Sequence, residues 1–359
     1  MVMPQRVPQL WLRILIVTAV TTLLACTASV ETEGVTSVAL TDRLPAGAAL
    51  IAFIDYREIV ETMPPEDWAE YEDMFEDADD YQSFERFAEV IGIDLREDLG
   101  QLALAALPGD AGEEGEAVIL VSATIDRSRL ESTLSGVETV SYEGQTLYPL
   151  REAWAAIEEA SGQPQAGEDP DEPSLDDQPG FLAILDGGTV ALGGEQALKS
   201  AIDVGAGRAE GLSSDPFMSE LVAGIPADSQ GWFVARRESW QDQMSGLGES
   251  GGMVPTDALS SIETVTMSMR YAEGMRLSLA GITGTADDAR LLAESLSGLI
   301  GLGKMMMQQE EPELFQILDR GIRVSSEERT ILIEANLTRA DLDALRRLGE
   351  ERAGSQPGF

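Results

Sequence analysis

Over residues 262–279 the chain alternates with a period of two. Val265, Met267, Met269 and Tyr271 take every second position, Thr264, Thr266, Ser268 and Arg270 fall between them, and after Ala272-Glu273-Gly274 the alternation resumes in Met275, Leu277 and Leu279. Only a strand with one apolar face satisfies that period, and so short a turn makes the pair antiparallel. An apolar sheet face must be covered, which calls for helices nearby. Thr285 followed by Asp288 is a capping box that opens one, with Leu292, Leu296 and Leu299 turned inward. Residues 321–325 and 330–335 read as a second strand pair, and Thr338 with Asp341 caps a closing helix bearing Leu342 and Leu345.

The same order runs through the earlier half. A strand over residues 49–55 precedes an acidic helix within 68–91, where Phe84, Phe87, Val90 and Ile91 keep helical spacing up to Gly92. Strands over 101–107 and 117–125 follow, then a short helix with Leu130 and Leu134 one turn apart. Strands over 181–185 and 189–193 flank Asp186-Gly187-Gly188, a hairpin-turn sequence, and lead into a helix over 195–204. The fold expected is α+β: two related repeats, residues 44–227 and 228–352, each an antiparallel sheet with helices packed on one face. The first repeat carries an insertion within 151–179, its acidic part near 160–179 too poor in apolar residues to build a core, and residues 353–359 form a tail.

The N-terminus reads as an export signal. Arg6 and Arg13 are unaccompanied by any acid, residues 14–24 are an apolar run of 11, and Leu23-Leu24-Ala25-Cys26 follows. A run of this length is too short for a comfortable membrane span, which takes about 20 residues. Leu23-Leu24-Ala25-Cys26 resembles the lipobox of bacterial lipoproteins. That resemblance implies cleavage of residues 1–25, palmitate-type acylation of Cys26, a flexible tether over 26–43, and attachment to the lipid bilayer. Thr27, where an aspartate would favour retention at the inner membrane, points to the outer membrane, facing the periplasm or the cell surface. Two further segments, Gly92-Ile93-Asp94-Leu95-Arg96-Glu97-Asp98-Leu99 and Leu44-Pro45-Ala46-Gly47-Ala48-Ala49-Leu50, are similar to stretches in exported bacterial proteins of unknown function, which implies an exported α+β body and no particular activity.

Composition narrows the chemistry. The 359 residues include no histidine and one cysteine, so imidazole bases, Ser-His-Asp and Cys-His nucleophiles and HExxH zinc sites are all excluded, as is an intrachain disulfide. With 64 acidic and 24 basic side chains the formal charge is −40, and loss of Arg6 and Arg13 on maturation makes it −42. Such a surface repels phosphate backbones, so no nucleic-acid partner is expected. Arginine outnumbers lysine, which occurs only as Lys199 and Lys304, and the acidity fits either salt adaptation or an acidic exported protein of a GC-rich genome.

Several motifs resemble catalytic or binding signatures without the context these need. Gly248-Glu249-Ser250-Gly251-Gly252 matches G-x-S-x-G but lacks both a preceding strand and a histidine, so a loop is expected. Gly298 to Lys304 spells G-x-x-x-x-G-K, yet Met305 stands where a magnesium-ligating hydroxyl belongs and the segment closes a helix. Asp73, Asp77, Asp79 and Asp80, and Glu168, Asp169, Asp171, Glu172, Asp176 and Asp177, lack the EF-hand glycine and glutamate spacing and read as solvated acidic faces. Met305, Met306 and Met307 make a flexible apolar patch, expected to pack in the core between the repeats and alternatively to form a groove for a lipid or a partner helix. No catalytic residue, metal or cofactor is expected. The leading expectation is a non-enzymatic, lipid-anchored envelope protein with an interaction or structural role. The alternatives are a binder of a lipid or other apolar ligand between the repeats, and a carboxylate-based hydrolase.

Overall fold

The computed structural model describes residues 40–64, 88, 92–109, 115–161, 180–185, 188–240 and 260–355. The chain divides into two compact units, Met1–Ser219 and Glu220–Phe359.

In the first unit, β1 (Leu50–Asp55) runs into the short helix α1 (Tyr56–Thr62), and β2 (Leu99–Leu107) and β3 (Glu116–Ala123) follow. Then come α2 (Arg127–Thr133), β4 (Val140–Tyr142), β5 (Gln145–Pro149), α3 (Leu150–Ser161), β6 (Phe181–Ile184), β7 (Thr189–Gly193) and α4 (Glu195–Gly205). Helix α5 (Pro216–Ala223) carries the chain over the division. The strands lie in the order β1-β2-β3-β7-β6-β5-β4, every neighbouring pair antiparallel.

Helices cover both faces of this sheet, not one as expected. The registers place Leu182, Ile184 and Val190 on one face, where they form a core with Leu130 and Leu134 of α2 and its end and with Ala153 and Ile157 of α3. The opposite face carries Val118, Leu120, Leu147, Ala183 and Ala191, all fully buried. Glu116, on the same side as Val118, accepts a hydrogen bond from the backbone N–H of Ala197 at 2.8 Å, which places α4 over that second face. The physical reason is written in the strands. Leu102-Ala103-Leu104-Ala105 and Val118-Ile119-Leu120-Val121 are continuously apolar, the pattern of a sheet buried on both sides. A second difference is that residues 151–161, placed within the insertion, belong to α3 and join the core through Ala153 and Ile157. The acidic remainder of the insertion and the expected helix over 68–91, apart from Ala88, lie outside the described residues.

The second unit contains β8 (Gly231–Arg236), β9 (Ile262–Tyr271), β10 (Gly274–Thr283), α6 (Ala286–Glu310), α7 (Pro312–Gly321), β11 (Ile322–Glu327), β12 (Thr330–Thr338) and α8 (Arg339–Ser355), which runs into the stretch expected as a tail. Its strand order is β8-β9-β10-β12-β11, antiparallel throughout. The alternating hairpin is there as read: Met269 pairs with Leu277 and Met267 with Leu279, apolar face to apolar face. Helix α6 packs on that side, where Leu292, Ala293 and Leu296 meet Val265, Ile331 and Val324. Thr264, Thr266, Ser268 and Arg270 take the opposite face. Thr285 caps α6 by accepting from the Asp288 N–H at 3.1 Å, the bond expected of the capping box.

Candidate functional site

Two charged clusters hold the candidate chemistry of the described residues, one in each unit. In the first, Glu143 (φ 51°) and Gly144 (φ 81°) turn the β4–β5 hairpin. Positive φ at both central positions is the two-residue turn whose twist matches the strands. The turn brings Tyr142 beside α4, and its phenol donates to Asp203 Oδ2 at 2.7 Å. Gly207 (φ 69°) ends α4 and folds Arg208 back, so that Arg208 Nε donates to Asp203 Oδ1 at 2.9 Å. Lys199 Nζ stands 5.1 Å from the Tyr142 ring centroid and is ion-paired with Glu195. The hydrogen bonds from Tyr142 and Arg208 hold the Asp203 carboxyl below the usual carboxylate range against some desolvation. The bond to Asp203, with partial burial and the nearby carboxylate charges, raises the Tyr142 phenol. A phenol held protonated beside a doubly engaged carboxylate is a poor nucleophile and a poor base. The cluster ties the edge hairpin to α4.

In the second unit, α7 and α8 enclose a groove of about 370 Å³ with Ile317 and Ala344 at its base and Glu313, Arg320, Asp343 and Arg347 along its sides. Arg347 pairs with Glu313 at 2.9 Å, and Arg320 bonds to Asp341 beside the groove. Asp341 is 1% exposed, and its second oxygen accepts from the Thr338 N–H at 2.9 Å and the Thr338 hydroxyl at 2.7 Å. Burial pushes the Asp341 carboxyl upward, and the bonds from Arg320 and Thr338 together outweigh it, so the group sits below its usual range. These are the contacts of a capping box locked by an arginine. A glycosidase needs two carboxyl groups facing a shared space. Both carboxylates that line the groove are paired, Glu313 with Arg347 at 2.9 Å and Asp343 with Arg339 at 3.5 Å, and Asp341 beside it holds Arg320.

Among the described residues no three or more Cys, Asp or Glu side chains gather at metal-binding distance. Gly298 to Lys304 lies wholly inside α6, which continues to Glu310 instead of ending there, and Lys304 is paired with Asp319 at 3.0 Å. A phosphate cradle needs a loop whose N–H groups are unpaired, and a helix interior offers none. Met305 is 70% exposed, so it does not enter the core as expected. Leu23, Leu24, Ala25 and Cys26, the G-x-S-x-G segment and both acidic clusters lie outside the described residues. The two charged ties were missed in the sequence because their members stand 61 residues apart in one case and 21 in the other. Among the described residues no helix is long and apolar enough to cross a membrane. No family model, curated protein or solved structure matches the chain.

Proposed function

We propose that this chain is a bacterial lipoprotein, acylated at Cys26 and held at the outer membrane, whose α+β body does interaction or structural work in the cell envelope without catalysis. The order of features at the N-terminus carries the reading: Arg6 and Arg13, an apolar run, then Leu23-Leu24-Ala25-Cys26. Two acyl chains at about 0.8 kcal/mol per buried methylene hold a body at a bilayer, where one is marginal. Asp203 holds a helix to a strand, and Asp341 and Glu313 hold two helices to one another, which accords with a scaffold. We also infer that the two units are related repeats. A shared connectivity supports this once the β4–β5 hairpin and α3, which the first unit alone has, are set aside: first strand, meander pair, helix, then a strand pair whose second member returns beside the third strand, as β7 does to β3 and β12 to β10.

Mass spectrometry of the chain purified from a bacterial membrane tests the anchor. A mature N-terminus at Cys26 carrying a diacylglyceryl mass is expected, and Cys26→Ser should move the protein to the soluble fraction. An unmodified Cys26 in a chain that still fractionates with membranes defeats the reading.

The apolar-ligand alternative draws on one row of the second sheet. Phe233, Met267, Leu279, Ile333 and Val324 stand side by side on the helix-bearing face, each only partly buried. An acyl lipid retained in native mass spectrometry, and lost on Leu279→Glu, would favour it.

A further inference from the structure

The solvent side of α6 carries Leu291 (55% exposed), Leu302 (51%) and Met305 (70%). At 3.6 residues per turn these three and Gly298 fall within a sector of about 60°. Large exposed side chains on one line mark a contact surface, where single scattered ones do not. A Cβ at Gly298 would meet nothing within 4 Å. Packing within the chain therefore does not require glycine there, although glycine inside a helix costs about 1 kcal/mol relative to alanine. A small residue at the centre of an apolar stripe lets a second helix approach closely.

Two features of the stripe point to the same occupant. Leu291 and Met305 stand symmetrically about Gly298, seven residues before it and seven after, while the mirror position of Leu302 is Glu294. Its charge is asymmetric: Asp287, Asp288, Arg290 and Glu294 occupy the first part of α6, whereas Lys304 is the only charged residue from 295 to 309. We propose that α6 docks against α6 of a second copy of this chain, antiparallel, with Gly298 on the twofold axis and Leu291 of each copy against Met305 of the other. In that register Asp288 meets Gln308 and Glu294 meets Leu302, and positions 295–309 bring no carboxylate against another. The acidic half of each helix lies along the carboxylate-free stretch 295–309 of the other, and the helix dipoles are opposed. A parallel pair would stack the acids on themselves, which a chain of formal charge −40 tolerates poorly. Three large apolar side chains from each copy place the contact at the small end of specific interfaces, so the dimer depends on concentration.

The test uses full-length chains carrying Cys26→Ser, at a detergent ratio that leaves most micelles with at most one chain. Under mild oxidation, a mixture of Leu291→Cys and Met305→Cys chains should form severalfold more disulfide dimer than either chain alone, and Gly298→Cys alone should dimerise. Sedimentation should show a concentration-dependent dimer that Leu302→Glu abolishes, with circular dichroism confirming that the variant is folded. A monomer up to high micromolar concentration overturns the proposal, as does cross-linking no greater in the mixture than in the single variants. If the monomer floats with phosphatidylcholine vesicles and Leu302→Glu stops it, the stripe belongs to a bilayer and the proposal also falls.

Discussion

Tyr142, on the outermost strand of the first sheet, gives its phenol hydrogen to Asp203, which lies on a helix 61 residues further along the chain. The bond fixes the protonation of both groups and so makes stability depend on pH at two ends. The lowered Asp203 carboxyl contributes above the usual carboxylate value near 3.9 and its contribution is lost as pH falls through the folded-state value. The raised Tyr142 phenol contributes below about pH 10 and its contribution is lost as pH climbs through its folded-state value. Tyr142→Phe should therefore remove the alkaline dependence and shrink the acid one, moving the Asp203 titration toward the ordinary value. Urea midpoints measured across pH, with carboxyl NMR titration of Asp203, check both arms.

The network around Asp341 predicts coupled losses. Thr338→Ala removes the N-cap of α8 and should cost about 1 kcal/mol. Asp341→Ala removes the acceptor for both Thr338 and Arg320 and should cost about 2 kcal/mol or more. Because both act on one network, the double variant should lose less than the sum, which a double-mutant cycle in urea measures. Strict additivity would mean that Asp341 serves Arg320 alone.

Gly193 and Gly194 mark where α4 leaves the first sheet. A Cβ on Gly193 would lie 2.2 Å from the Ala117 carbonyl oxygen, a backbone atom that cannot rotate away. At Gly194 the nearest atom is Glu116 Oε2 at 2.6 Å, the end of a side chain. Gly193→Ala should thus cost about 3 kcal/mol or prevent folding, whereas Gly194→Ala should cost about 1 kcal/mol by displacing Glu116 from the Ala197 N–H. Equal losses by calorimetry would show that the β3–β7 pairing yields more easily than its register implies.

Salt should stabilise the protein. The screening length falls from about 10 Å at 0.1 M to about 3 Å at 1 M, and 42 of the 64 acidic residues lie within 1–219. The thermal midpoint is expected to rise toward molar NaCl, and a flat or falling trend would exclude salt adaptation.

What could be read in advance followed from how local each signal is. The β9–β10 hairpin announced itself because alternation, turn and register all lie within 22 residues, from Ile262 to Thr283. Both Thr-x-x-Asp caps were legible for the same reason. The β4–β5 hairpin was not: Val140-Ser141-Tyr142 is too short to show a period, and Pro149 breaks the next strand. Helix α3 hid behind small residues, since Ala153 and Ala156 give little hydrophobic contrast. Gly298, Gly301 and Gly303 read as the end of α6, which passes through all three. The choice of one covered face or two was in fact visible, in the continuous apolar runs of β2 and β3 beside the alternation of β9. The charged ties at Asp203 and Asp341 were beyond local reading, because each depends on a register set by strands far apart in sequence.

Glu143 and Glu328 both hold left-handed backbone conformations at hairpin turns, φ 51° and 48°, where asparagine or glycine is the favoured occupant. Asparagine followed by glycine is also the pair that loses ammonia over time, converting to an isomerised acid and deforming the turn that holds it. Asparagine is among the thermolabile residues that heat-resistant proteins reduce. This chain has one, Asn336, followed by Leu337, and it lies in a strand. By accepting backbone strain at glutamate, the molecule has turns that do not age by deamidation.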